Sequence, residues 1–124
     1  MSVFISSLST TQIAALTTTQ VGLFTTADVA ALGTDQVAAL TTTQINEGLN
    51  TRDIAALTTA QVNLGLTTDQ LVAMTTTQLG AFSTAQVNLG LSTDQIVALT
   101  TTDVASLRTA QVAALNTAQV QSLT

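Results

Sequence analysis

Residues 9–16 read STTQIAAL and residues 17–24 read TTTQVGLF. In both, a Ser or Thr is followed three residues later by Gln, next by an aliphatic residue, and three positions further on by Leu or Phe. The first pair is the signature of a capping box. In that arrangement the hydroxyl accepts the N–H of the third helical residue, and the Gln side chain returns to the N–H of the cap. The second pair is one helical turn apart, so both apolar side chains share a helix face. On a strand the same spacing would send them to opposite faces. Ala14 and Ala15, between the apolar positions, have the best helix propensity available. The stretch predicts a helix of about two turns, opened by its own cap and closed by the next one.

The same octapeptide runs through the chain. With Gln12 as anchor, equivalent positions fall at Gln20, Asp28, Gln36, Gln44, Asp53, Gln61, Gln70, Gln78, Gln86, Gln95, Asp103, Gln111 and Gln119. The spacing is eight residues, with nine in three places, giving fourteen copies over residues 9–124. Residues 1–8 form a degenerate first unit ending in Ile5-Ser6-Ser7-Leu8, so residues 1–124 are expected to make a single repeat domain. Every copy has Thr two residues before the anchor and an aliphatic residue just after it, and each ends in Leu, Met74, Phe24 or Phe82. Anchors Asp28, Asp53 and Asp103 would stand at the third helical position, where the helix dipole favours a carboxylate. The three nine-residue copies place Gly48, Gly65 and Gly90 near the helix end, where a left-handed cap would use them.

One continuous helix fails on arithmetic, because eight residues rotate the apolar pair by about 80° per copy and no seam forms. A single octapeptide buries too little to offset its conformational entropy, so copies must stack, with the aliphatic and Leu columns expected to be buried in every copy. QVNLGLTTDQ at residues 61–70 returns as QVNLGLSTDQ at 86–95, a superunit of three octapeptides plus one residue. The predicted fold is all-α, a solenoid of short helices, one per octapeptide; the superunit reads first as a recent gene duplication and, as the sharper alternative, as a coil of three sides. The 27 threonines and many valines leave a three-sided β-solenoid as the alternative. Gly22 and Gly80 are the two glycines directly after the aliphatic position, and their copies are the two that end in Phe. That pairing suggests a missing methyl making room for a ring.

Composition removes most chemistry. The chain has no His, Cys, Lys, Tyr or Trp, which excludes imidazole bases, thiolates, Schiff-base amines and the usual zinc ligands. Two arginines against seven acids, a net charge of −5, cannot neutralise a nucleic-acid backbone. A mean hydropathy of +0.48 argues against disorder. A Thr, Ser or Asn cluster interrupts the apolar residues of each unit, so no run approaches the ~18–20 a membrane span needs. The opening MSVFISSL lacks the positive region of a signal peptide. No copy holds two of the acids Asp28, Asp35, Glu47, Asp53, Asp69, Asp94 and Asp103, so no local acid/base pair is written. Stacking three to a coil would bring Asp69 and Asp94 close, a weak cation site at best. The repeated Thr and Gln suit caps, and Arg52 and Arg108 suit the surface. No catalytic, cofactor-binding or metal residue is assigned.

Units such as LTTTQVGLF, LTTAQVNLG and LRTAQVAAL resemble the Leu-Thr-Thr-x-Gln-Val octapeptide tracts of large bacterial surface or secreted repeat proteins, adhesin-like or RTX-like in character. The resemblance covers nearly the whole chain and implies a stalk or scaffold role in an extracellular or cell-surface setting. The expected function is a non-enzymatic repeat scaffold or spacer. Alternatives are an ice- or surface-binding Thr array and a protein-binding repeat module. A solenoid end exposes an apolar face unless a polar unit covers it. Val120 and Leu123 at one end, and Val3, Phe4, Ile5 and Leu8 at the other, predict association end to end or continuation into further repeats.

Overall fold

We number the copies as units 1 to 14, from the Gln12 anchor to the Gln119 anchor. In the computed structural model, which describes residues 5–123, each unit forms one short helical element, and no strand occurs among these residues. Unit 1 is the helix Thr10–Ala15, unit 4 is Thr34–Ala39, and a 3-10 turn at Ile5–Ser7 precedes them. The N-cap N–H donates to the anchor side chain in all fourteen units, at 2.7–3.3 Å. At the other end the closing Leu turns extended, as at Leu16 (φ −65°, ψ 144°), and its N–H reaches the Ile13 carbonyl at 3.2 Å. That reversal makes the corner, and the following Ser or Thr starts the next side. Threonine thus serves caps and corners here, and its β propensity goes unused.

Each helix packs on the one three units further along: unit 1 on unit 4, unit 4 on unit 7, unit 7 on unit 10, and unit 8 on unit 11. Three units, 24 to 26 residues between anchors, therefore complete one coil, and the solenoid is three-sided. The aliphatic residue after each anchor points inward, and Ile13 through Ile96 are at most 2% exposed. With the closing residues from Phe24 to Leu91 they form one continuous core.

Three expectations need correction. The nine-residue units 5, 7 and 10 absorb their extra residue as π-helical turns, Gln44–Gly48, Gln61–Gly65 and Gln86–Gly90. Their glycines are not left-handed caps; they permit close approach. A Cβ on Gly48 would lie 2.8 Å from Val21 Cγ1, and one on Gly65 or Gly90 3.0–3.1 Å from Val37 or Val62 of the coil beneath. Nor do Gly22 and Gly80 make room for Phe24 and Phe82. A Cβ on Gly22 would meet only the Gly48 carbonyl oxygen at 3.6 Å, and one on Gly80 nothing within 4 Å, while both rings are buried elsewhere in the core. Finally, the aliphatic column is not buried throughout: Val104 is half-buried, Val112 is 48% exposed and Val120 52%, because no coil lies over them. At the opposite end Ile5 is buried, and Val3 and Phe4 lie outside the described residues.

Candidate functional site

The most elaborate chemistry of the chain lies at the corners. The anchor Gln uses its amide twice. Its Oε1 accepts the N-cap N–H of its own unit, and its Nε2 donates to backbone carbonyls of the coil beneath. Gln70 Oε1 takes the Thr67 N–H at 2.8 Å, while its Nε2 bridges the carbonyls of Val37 (2.7 Å), Ala38 (3.3 Å) and Leu40 (2.7 Å). Gln44, Gln61, Gln78 and Gln86 do the same, and Gln36, Gln95, Gln111 and Gln119 bridge two carbonyls each. The acceptors always belong to the unit four places earlier, whose closing residue forms the corner beneath the anchor. These carbonyls lie at a helix end, where intrahelical donors run out and Val37 O, for one, holds only the Leu40 N–H at 3.2 Å besides the amide, so the amide caps the C-terminus of one unit while boxing the N-terminus of another. Asparagines add bonds toward the coil above: Asn46 Nδ2 to Ala73 O at 2.6 Å, Asn63 to Gly90 O at 2.9 Å and Asn88 to Ala114 O at 2.7 Å.

Departures from the pattern are locally compensated. At Gly33, which has no hydroxyl, the Asp35 carboxylate accepts the Gln36 N–H at 3.0 Å. Arg108 occupies a cap position without a side-chain acceptor, but its guanidinium donates to Gly80 O (2.8 Å) and Phe82 O (3.0 Å). It is exposed, as expected, and also clamps the coil beneath. Asp28, Asp53 and Asp103 keep the box bond and lack the amide that would reach downward. They occupy units 3, 6 and 12, one edge of the solenoid. Under Asp53 the corner of unit 2 opens into a cleft of 380 Å³ between Gly22, Phe24, Asn50, Arg52 and Asp53. Burial raises the Asp53 carboxyl above its ordinary value of 3.8, opposed by the Asn50 N–H and by Arg52.

Units 8 and 11 stack, so Asp69 and Asp94 sit on adjacent coils of one side as expected, yet no group of three potential metal ligands exists among the described residues. No described helix is long and apolar enough to cross a membrane. The downward amide bond is the feature that sequence reasoning missed. Its signal was present: a capping box accepts Glu as readily as Gln, and the anchor column holds eleven Gln, three Asp and no Glu.

Fold and corners together define a three-sided solenoid of short helices whose coils are stapled by side-chain amides. The family model of the ALTTAQ repeat matches this chain four times, over residues 23–47, 47–76, 65–101 and 98–124, spans of one coil to about one and a half. The chain belongs to the ALTTAQ repeat family. No curated protein and no solved structure matches it.

Proposed function

We propose that the chain is a non-enzymatic scaffold or spacer that associates through its solenoid ends, in a bacterial surface or secreted setting. One observation carries the reading. The contact between coils repeats one anchor-amide bond at two or three corners of every level, so length is added without any new kind of interface. Duplicating the 25-residue segment 61–85, bounded by the two QVNLGL stretches, tests it. The longer chain is expected to fold, to keep its helical circular dichroism, and to extend by one coil in small-angle scattering. A longer chain that unfolds, or that swells without lengthening, would refute a modular spacer.

A protein-binding module is the second reading, and it has one feature in its favour. Leu64 and Leu89 are 71% and 69% exposed on the stacked π turns of units 7 and 10. Replacing both with Gln would leave the core intact and remove an apolar ridge. A scaffold role survives that change, whereas a partner held by this ridge would be lost.

A further inference from the structure

The two ends of the solenoid expose the two halves of the bond set that joins its coils. At one end Gln12 and Gln20 are exposed. Their Oε1 atoms cap Ser9 and Thr17 at 2.8 and 2.9 Å, while among the described residues their Nε2 groups donate to no carbonyl. Every other anchor Gln donates downward. At the other end, among the described residues, the carbonyls of units 12 and 13 receive no anchor amide. Val112 O accepts from Leu115 at 3.2 Å, and Val104 O from Leu107 at 3.2 Å and from the Ser106 N–H, all within their own unit, where Ile13 O accepts from both Leu16 and Gln44. Beside them the half-exposed Val104 lines a 410 Å³ groove with Ile96, Leu99, Thr101, Ser122 and Leu123.

We propose that a second copy of this chain docks head to tail on this face, in the register of a fifteenth unit. This rests on the end-association reading above and specifies its geometry. The Ile5–Ser7 turn of the incoming copy takes the groove and stacks on unit 12, as it stands three units before unit 3 and contacts it within one chain. Gln12 of the incoming copy then lies over the corner of unit 12 and donates to Val104 O and Leu107 O. Gln20 lies over unit 13 and donates to Val112 O and Leu115 O. Units 1 and 2 of that copy cover Val112 and Val120, as unit 5 covers Val21 within a chain. Fifteen is a multiple of three, so sides continue into sides. The contact is heterologous and unclosed, and it produces polar filaments rather than dimers.

The chain contains no cysteine, which allows a direct test. Asn88 reaches the Ala114 carbonyl of the stacked unit within one chain, and the equivalent pair across the junction is Ala113 of one copy with Ala15 of the next. A113C and A15C chains, mixed and treated with a short bis-maleimide, should give a mixed dimer band, with little product from either alone or from A113C with A39C. Sedimentation equilibrium supplies the second measurement. The Q12E/Q20E variant keeps both capping oxygens and sets carboxylates against the carbonyls, so its association should weaken by about tenfold or more. T43E/T77E adds the same charge at exposed positions away from the junction and should leave association near wild type. If the wild-type chain stays monomeric at all concentrations, both end association and this register fall. Association that persists in Q12E/Q20E, or without the A15C–A113C product, overturns the register alone and leaves another surface as the contact.

Discussion

At the scale of a residue, the decisive atom is the anchor amide nitrogen. Gln61 is 3% exposed, and its Nε2 lies 2.7–3.3 Å from three carbonyl oxygens. Gln61→Glu preserves the box to Thr58 and aims a buried carboxylate at those oxygens, so it should cost about 2–3 kcal/mol in urea unfolding. A loss below a few tenths would show that the downward bonds contribute nothing. Asp53 is the natural experiment in the opposite sense. Gln111 stands over a corner of the same type and bonds Leu79 O and Phe82 O at 2.9 Å. Asp53→Gln is therefore expected to reach the Val21 and Phe24 carbonyls and to stabilise the fold by about 1 kcal/mol at neutral pH. The sign of the pH effect follows from burial. A carboxyl whose folded value is raised holds its proton more tightly when folded, so stability falls as pH climbs from 3.8 through the raised value. The advantage of Asp53→Gln should grow across that window and then level off. An advantage independent of pH would mean that ionisation of Asp53 costs the fold nothing.

At the scale of an element, the capping box and the three-residue apolar spacing are local signals, and both were legible in the octapeptide. Three units per coil was only half legible: the near-identical stretches at 61–70 and 86–95 lie one coil apart, but a recent duplication would leave the same mark. The π turns were not legible. An extra residue announces its existence but not how the backbone absorbs it, and the reason these turns carry glycine is the valine of another coil, which no local pattern records. The same limit explains why the Gly22 and Phe24 pairing misled: adjacency in one unit is not contact when one side chain faces the core and the other position faces out. Two alanine substitutions separate the roles. Gly48→Ala must push Val21, already fully buried, out of a 2.8 Å contact, and should cost about 1–3 kcal/mol. Gly80→Ala meets open space on a helix, and the stiffer unfolded chain should make it stabilising by about 0.5–1 kcal/mol. Thermal melts of the two should move in opposite directions. Equal losses would return both glycines to a common backbone role.

At the scale of the whole molecule, contacts run only between units near in sequence or one coil apart, so stability is close to a sum of coil interfaces and need not be uniform. An inner unit is held from both sides. Val62 is fully buried, with Gly90 of the coil above at its Cβ, and Gln61 above unit 3 anchors the same helix from below. Units 13 and 14 have only the lower half of that support: Gln111 and Gln119 are buried and bonded downward, while Val112 and Val120 stand half in solvent. Their helices should open without the rest of the molecule. In dilute solution the amides of Val112 and Val120, which donate to Arg108 O and Asn116 O, should exchange with deuterium at least about tenfold faster than those of Val62 and Leu71. Identical rates would mean that the solenoid opens as one cooperative body and that an uncovered coil is as secure as a covered one. Raising the protein concentration adds a second reading of the same amides. If a neighbouring copy supplies the missing upper half, exchange at Val112 and Val120 slows toward the rates of inner units, whereas Val62 and Leu71, already held from above and below, keep theirs.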